Sequence, residues 1–453
     1  MKLPSRHKTR RAQTFQLSDK FRLIVESHPD ALTAAVGLFV ACGSRHEEMN
    51  LHGATHLTEH FVFKGTTRYT ADDISQNIER FGGELNAFTE REYTCFHAWV
   101  PRDEVELSTQ QIFEMIFDSV LDPDDFKRER NVVLQELKGY EDSAEDEFWD
   151  TFLEQPWGEH PLGRRIAGFS SQVKNFEHGN IVNFIAERFL QSPMTLVVVS
   201  HMSPERTFKM VKRVLRKTKD FVWGDKLELV RHPRRDLAPT KRRGPVLRAP
   251  FSARSKIKTF DADQVHLGFL FPSVSAKHPR EILWAAAVSI LGAGSSSRLY
   301  REVREEKGLA YSASAFMYSF SDTGLVAGYL STEKKNWLHA VQTAGQVCRK
   351  FAEGITDDEF EFIKNNLEGS LYMSFEGVSN RMENLGRQDM LLGRSISLNE
   401  SKRELKLLTK SGVNRVARNF ANTPCLVGLG PLDSRDINRM HQAWQGKGKY
   451  AGR

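Results

Sequence analysis

The sequence predicts a mixed α/β protein made of two similar halves, and three observations lead to that prediction. The chain has 453 residues, which exceeds one ordinary hydrophobic core and indicates two or more domains. A segment rich in arginine, lysine and proline divides the chain near its middle. The strand-like and helix-like patterns that precede this segment loosely return after it. We therefore expect a basic tail at 1–14, a first half at 15–225, a linker at 226–260 and a second half at 261–453.

The first half begins with strand-like runs that are rich in β-branched and aromatic side chains. Helices with capped starts and apolar residues at helical spacing follow these runs. The expected segments are strands at 15–26 and 32–42, a helix around 56–60, and helices at 70–81, at 104–120 and from Asp122 onward.

Residues 84–100 follow the capped helix and support two interpretations. Tyr93–Val100 alternates between apolar and polar side chains as a strand does, and Leu85–Thr89 precedes it. The segment is either an ordinary hairpin or an edge strand to which an extended peptide can add through main-chain hydrogen bonds. The pattern favours the two interpretations equally.

The sequence His-Leu-Thr-Glu-His at residues 56–60 has the spacing of a metal site. On a helix, His56 and His60 lie one turn apart on one face, which suits two ligands of a single tetrahedral Zn²⁺. Glu59 lies on the same side, where it can hold a water molecule at the metal. The order His-x-x-Glu-His is the inverzincin signature. A solvated helix face is the alternative, so the surrounding sequence has to decide.

A zinc site with two histidines needs a third protein ligand and an open position for water. The helix predicted to open at Asp122 offers Glu129, Glu136 and Glu141. Glu129 and Glu136 are two helical turns apart and share a face. Glu136 is the candidate ligand, and Glu129 could orient it or a histidine from behind. Spacing alone does not choose among the three glutamates, and glutamates on a helix are usually solvated.

Four segments of the first half carry a more specific pattern, namely HLTEHFVFKGT, GGELNAFT, ERNVVLQE and HPLGRRIAG. They resemble the pitrilysin/insulysin family of zinc metallopeptidases, in particular the branch of mitochondrial processing peptidase and its short bacterial relatives. The resemblance implies that His56, His60 and Glu136, which lies 76 positions after His60, bind one Zn²⁺ per chain. It also implies that Glu59 is the general base and that Glu129 supports the ligands.

The same resemblance has consequences for the substrate and for the assembly. It implies that Asn86, Ala87, Phe88 and Thr89 form an edge strand that binds an extended peptide. It implies two halves of related fold, each an antiparallel-rich sheet packed with helices. It further implies a dimer, of two copies or with a related subunit, that closes around a chamber for peptides or unfolded proteins.

The second half repeats the strand and helix pattern without the histidines. Its expected segments are a strand at 265–271, a helix at 282–291, and paired strands at 310–318 and 325–329. The run at 292–315 lacks the Gly-Lys-Ser/Thr ending of a phosphate-binding loop. It resembles a run of the same peptidase family whose arginine and tyrosine, seven residues apart, reach the catalytic site. Here they are Arg304 and Tyr311.

Composition and charge weigh against the remaining classes of protein. The net charge is +6, but much of the excess lies in the tail and the linker, without the interleaved aromatics of a nucleic-acid-binding surface. No apolar run approaches the length of a membrane span. The four cysteines are scattered, which fits a reducing compartment.

We expect a cytoplasmic peptidase, or a mitochondrial one if the basic start is a presequence. A non-catalytic subunit of a processing-peptidase-like complex is the alternative.

Overall fold

The computed structural model describes residues 12–217, 230–231 and 251–447, and it contains two β-sheets with helices packed against them. The prediction of a mixed α/β fold is confirmed. The predicted tail at 1–14 and the linker at 226–260 lie largely outside the described residues. The described helices are α1 Ala54–Phe61, α2 Ala71–Glu79, α3 Val105–Phe117, α4 Pro123–Asp142, α5 Ala144–Glu154, α6 Ser170–Val173, α7 His178–Phe184, α8 Pro204–Lys217, α9 Glu281–Gly292, α10 Trp337–Glu353, α11 Asp357–Ser374, α12 Val378–Leu392, α13 Leu398–Lys406, α14 Lys410–Ala417 and α15 Ile437–Trp444. Among them we find none with the length and apolar character that a bilayer crossing requires.

The first sheet has seven strands within the described residues. They are β1 Gln13–Ser18, β2 Phe21–Ser27, β3 Thr33–Val40, β4 Glu84–Thr89, β5 Thr94–Pro101, β6 Met194–Ser200 and β7 Val230–Arg231. Their order across the sheet is β4-β5-β3-β6-β2-β1-β7. β2 and β6 run parallel, and the other neighbours are antiparallel. β4 therefore lies at one edge of this sheet.

The second sheet repeats the core of the first. Its strands are β8 Lys256–Thr259, β9 Gln264–Ser273, β10 Ser312–Ser319, β11 Gly324–Glu333 and β12 Cys425–Gly430. Their order is β10-β11-β9-β12-β8, with β8 and β12 parallel. This matches the order and directions of β4-β5-β3-β6-β2. In the two sheets, α1 and α9 occupy corresponding positions in the connection that leads to the edge strand.

One predicted strand is wrong in detail. Residues 15–26 were expected to form one strand, but they belong to β1 and β2, which pair as a hairpin. Phe15 pairs with Leu23 and Ser18 pairs with Phe21, so the chain reverses at Asp19 and Lys20. These two polar residues supply the turn between two strand-forming runs.

The chain divides into two compact units, each built around one sheet. Unit 1 comprises residues 1–137, 165–245 and 371–401, and unit 2 comprises 138–164, 246–370 and 402–453. Each half of the chain thus contributes one helical segment to the unit that is built mainly from the other half. The compact units and the predicted halves differ in these two segments.

In unit 1, α12 covers the sheet although it comes from late in the chain. Its Met382 and Leu385 are buried in one cluster with Ile24, Phe39 and Val197 of the strands. Burial of these apolar side chains stabilises the contact between α12 and the sheet.

Two buried ion pairs connect the same helix to strand β2. The Arg381 guanidinium donates to both carboxylate oxygens of Glu26, at 2.8 to 3.0 Å. Arg22 donates to Asp389 at 3.0 Å, and the Asp389 carboxylate also accepts from Thr195. Because buried charges are costly unless they are paired, these contacts specify where the helix lies.

In unit 2, α5 is held mainly by aromatic packing. Phe148 and Phe152 are fully buried, and their rings stack at 5.0 Å between centroids. Tyr329 and Leu270 of the second sheet belong to the same cluster. The buried Glu147 of α5 adds one ion pair, to Lys258 of β8.

Candidate metal centre

The helix α1 carries both histidines, and its first turn is capped from a distance. Gly53, which precedes the helix, has a φ of 95° and packs against Gly168, where a side chain at either position would collide with backbone. The Gly53 and Thr55 N–H groups donate to the buried carboxylate of Glu47, at 2.9 and 2.7 Å. An acidic group is favourable at this end of a helix because it satisfies free N–H groups and the helix dipole.

The apolar side of α1 fixes its position against α4. Leu57 and Phe61 are fully buried, and the Phe61 ring lies 5.8 Å from that of Phe126 on α4. The neighbouring face of α1, which carries His56 and His60, meets the glutamates of the same helix α4.

His56, His60 and Glu136 converge into one cluster. One ligand atom of each residue lies within 4.8 Å of the others. Nε2 of His60 is 3.5 Å and Nε2 of His56 is 3.9 Å from the same Glu136 oxygen, Oε2. Of the three glutamates that spacing left open, the structure thus brings Glu136 to the two imidazoles.

The donor set fits zinc. Zinc is bound by imidazole nitrogen and carboxylate oxygen at about 2.0–2.2 Å, so tetrahedral ligand atoms lie roughly 3.3–3.5 Å apart. The two distances to the Glu136 oxygen are close to that separation. Three protein ligands also leave the open position that distinguishes a catalytic site from a structural one.

The protonation of the two histidines differs. Burial, together with the nearby His60, lowers the pKa of His56 to about 4. A neutral imidazole at physiological pH keeps a lone pair for a metal. Burial acts in the same direction on His60, but the hydrogen bond to Glu129 and the nearby carboxylates raise its pKa.

Glu129 lies behind His60 and contacts the nitrogen that faces away from the cluster. Its Oε2 is 3.5 Å from His60 Nδ1, and its Oε1 is 2.9 Å from the Lys64 ammonium. Burial acts to raise the pKa of Glu129, but the hydrogen bonds from His60 and Lys64 lower it overall. Glu129 is therefore a carboxylate placed to orient an imidazole.

Glu59 lies beside the cluster and is tied to the edge strand. Its Oε2 accepts a hydrogen bond of 2.5 Å from the Thr89 hydroxyl, at the end of β4. Burial raises the pKa of Glu59, although the hydrogen bond from Thr89 opposes this. A carboxylate with a raised pKa accepts a proton more readily, as a general base requires.

The predicted substrate residues all lie on β4. β4 pairs with β5 as a hairpin and, among the described strands, has no second neighbour, so it lies at the edge of the sheet. The addition of an extended peptide to this strand stays a prediction. The Asn86 side chain accepts a hydrogen bond of 2.8 Å from the Ala87 N–H. The Phe88 ring packs 5.8 Å from that of His97.

Arg304 and Tyr311 belong to unit 2, whereas the metal cluster belongs to unit 1. Both side chains are exposed. Arg304 lies over the Tyr300 ring at 4.8 Å, and the Tyr311 hydroxyl donates to Glu333 at 3.2 Å. Their action at the metal centre stays a prediction.

Two residues that position the cluster were missed in the sequence. Glu47 precedes α1 by seven residues and has no local pattern that indicates a cap. Lys64 could have been found, because it lies four residues after His60 in the same helical phase.

Comparison with protein families supports the same chemistry. Residues 22–169 match the family described as insulinase (peptidase family M16), and residues 175–367 match the peptidase M16 inactive domain. An uncharacterized zinc protease of Mycobacterium bovis is 32% identical over 404 residues, which cover 88% of both chains. A probable mitochondrial-processing peptidase subunit beta of Arabidopsis thaliana is 26% identical over 441 residues, which cover 94% of this chain and 80% of the relative.

The fold has a counterpart among solved structures. The crystal structure of a protease from Helicobacter pylori superimposes with a TM-score of 0.80 at 20% sequence identity. The match covers 93% of this chain and 100% of that one. At this identity the likeness concerns the fold.

Proposed function

Because this chain belongs to the insulinase family of peptidases, peptidase family M16, we propose that it is a zinc-dependent endopeptidase that cleaves extended or unfolded peptides. The observation that carries the proposal is the convergence of His56, His60 and Glu136 beside Glu59. A metal-binding set next to a half-buried carboxylate suits metal-assisted hydrolysis.

In this proposal His56, His60 and Glu136 hold one Zn²⁺ per chain. When bound, zinc would polarise the scissile carbonyl and make a water molecule more acidic. Glu129 keeps the His60 ring oriented through its Nδ1.

Glu59 acts as the general base. It accepts a proton from the attacking water and later delivers that proton to the leaving amine. Since the Thr89 hydroxyl occupies Oε2, Oε1 is the oxygen left for the water. Tyr311, helped by Arg304, stabilises the negative charge that develops on the carbonyl oxygen.

The substrate binds along β4 as an additional strand. Main-chain hydrogen bonds to Asn86, Ala87, Phe88 and Thr89 select for an extended backbone. The Asn86 side chain occupies the Ala87 N–H, so we expect a peptide to displace that amide when it pairs with the strand.

The working assembly in this proposal is a dimer that closes around a chamber. It is formed by two copies or by this chain and a related subunit, and it acts on peptides or unfolded proteins. We propose a cytoplasmic location, which is supported by four scattered cysteines without a disulfide framework.

The alternative is a non-catalytic subunit of a processing-peptidase-like complex. Such a subunit needs neither a metal ligand set nor a base. The complete set formed by His56, Glu59, His60 and Glu136 favours the enzyme.

Metal analysis together with peptide cleavage tests the proposal. We expect about one zinc per chain in the wild type and in Glu59→Gln, because Glu59 is not a ligand, and loss of zinc in Glu136→Ala. Both variants should lose cleavage of a mixed peptide pool by at least a hundredfold. Loss of zinc in Glu59→Gln with retention in Glu136→Ala would reverse the two assignments. No cleavage of the pool by the wild-type protein would leave the non-catalytic alternative.

Digestion of one protein in two states tests the chamber. A compact, loop-poor protein should resist the enzyme, and its denatured form should be cut, because only an extended chain can pair with β4. Equal digestion rates for the two forms would contradict a closed chamber.

A further inference from the structure

Lys64 forms the outer end of a chain of contacts that leads to the metal cluster. Its ammonium lies 2.9 Å from Glu129 Oε1, and Glu129 Oε2 lies 3.5 Å from His60 Nδ1. The Glu129 side chain is only 7% exposed, whereas that of Lys64 is 33% exposed. The two oxygens of one buried carboxylate are thus each engaged by one cationic or imidazole partner.

We propose that Lys64 is a positioning residue of the metal centre, which acts on the zinc ligand His60 through Glu129. The inference rests on the zinc-binding function proposed above. Lys64 touches neither the substrate nor the metal in this assignment. Its contribution is to hold Glu129 in the rotamer that fixes the His60 ring.

The burial of Glu129 is the reason that this ion pair differs from an ordinary surface pair. Exposed pairs contribute little, since both partners are solvated when they separate. Without Lys64, one oxygen of a buried carboxylate would lose its charged partner, and the carboxylate would turn toward water or toward another donor. The imidazole that depends on Glu129 would then lose its orientation.

The backbone around Lys64 places its ammonium at this position. The residue ends the short 3₁₀ turn Val62–Lys64 that continues α1, and Gly65 follows with a φ of 144°. His60 and Lys64 are four residues apart, so their side chains lie on the same side of the helix. The side chains of His60 and Lys64 therefore both reach Glu129 of α4.

The test measures how fast zinc leaves the protein for a chromogenic chelator. Supporting groups behind metal ligands change metal affinity by about 10–100-fold, so we expect zinc release to be about tenfold faster in Lys64→Met. Lys64→Arg keeps the charge and should release zinc within about threefold of the wild type. Lys127→Met is the matched control, because Lys127 lies on α4 and pairs with the exposed Asp124.

A double substitution separates positioning through Glu129 from a general loss of stability. Glu129→Gln should speed zinc release at least as much as Lys64→Met does. Adding Lys64→Met to Glu129→Gln should then not speed zinc release any further, because Lys64 acts on His60 only through Glu129. If Lys64→Met fails to fold, Lys64→Gln takes its place, and an intermediate release rate is expected.

Three results would overturn the inference. They are zinc release at the wild-type rate in Lys64→Met, an equal increase in Lys127→Met, and additive effects in the double variant. A wild-type protein without zinc would instead contradict the proposed function, and metal analysis of the starting protein detects that case first.

Discussion

The two compact units share one strand order but differ in where they bury charge. In unit 1, the buried charged side chains are Arg22, Glu26, Arg45, Glu47, Arg91, Glu92, Glu114, Glu129, Arg381 and Asp389. Among the described residues of unit 2, Glu147 is the buried acidic or basic side chain. A buried charge is costly unless it is paired. The many buried charged side chains of unit 1 therefore indicate that side chains have to be held in fixed positions there.

The helices α1 and α9 show the same contrast at one topological position. α1 presents His56, Glu59 and His60 on one side, whereas α9 reads EILWAAAVSILG and is largely buried. The same fold thus carries the helix of the candidate metal site in one unit and a packing helix in the other. The strand order alone does not determine the chemistry.

The largest expected effect is the recovery of peptide cleavage in mixed dimers. It tests whether unit 2 supplies catalytic groups to the metal centre of another copy. Glu59→Gln and Tyr311→Phe chains should each be nearly inactive alone. After subunit exchange at equal amounts, half of the dimers are mixed, and in each of these one site carries both lesions while the other is intact. We therefore expect about one quarter of the wild-type cleavage rate to return.

The exchange experiment needs proof that the subunits mix. Chains with different affinity tags report mixed dimers directly. If mixed dimers form and no cleavage returns, each chain uses its own Tyr311, and the shared-site arrangement is wrong. Two Glu59→Gln chains with different tags provide the inactive control.

The next largest effect concerns the charges that hold α12 in unit 1. Arg381→Met would leave Glu26 buried without its bidentate partner. We expect the free energy of unfolding to fall by about 3–5 kcal/mol, as measured by urea denaturation at pH 7. A loss below 1 kcal/mol would mean that apolar packing of α12, and not its ion pairs, holds unit 1 together.

A smaller change in the free energy of unfolding is expected when the pH is lowered and Glu26 becomes protonated. Burial acts to raise the pKa of Glu26, but hydrogen bonds from His28 and Arg381 lower it below its ordinary value of 4.5. A carboxylate with a lowered pKa stabilises the fold above pH 4.5, and that contribution is lost as pH falls through the folded pKa. The difference in unfolding free energy between the wild type and Glu26→Gln should be largest at pH 7 and shrink below pH 4.5. A constant difference from pH 7 to pH 3 would contradict the ionised pair.

The smallest effect is expected for the corresponding charge pair in unit 2. Lys258 contacts Glu147, but 38% of its side chain is exposed and Thr151 also donates to Glu147. Because Thr151 still donates to the same oxygen after the substitution, the buried Glu147 keeps a hydrogen bond, and Lys258→Met should lower the free energy of unfolding by about 1–2 kcal/mol, less than Arg381→Met. A loss as large as that of Arg381→Met would remove the distinction between the two units.

The sequence was sufficient for the parts of the site that depend on local spacing. His56 and His60 share a helix face because they are four residues apart, and the same rule places Glu129 and Glu136 together on α4. The choice of Glu136 over Glu129 required the packing of Phe61 on Phe126, which sets the position of one helix against the other.

Contacts between distant residues could not be predicted in this way. Glu26 and Arg381 are 355 residues apart, and no periodic pattern links an acidic residue in a strand to a basic residue on a late helix. The same is true of the segment 138–164, which follows the candidate metal ligands but belongs to unit 2. Local patterns predict elements, whereas the pairing of elements depends on the tertiary fold.

The late position of α12 has a consequence for synthesis on the ribosome. Chains grow at about 5–20 residues per second, so roughly 20–70 s pass between the emergence of Glu26 and that of Arg381. During that time the apolar strand residues Ile24, Phe39 and Val197 have no α12 to cover them. We expect the growing chain to be a chaperone substrate until residue 401 has left the exit tunnel, and unit 1 to be completed only after translation of most of the chain.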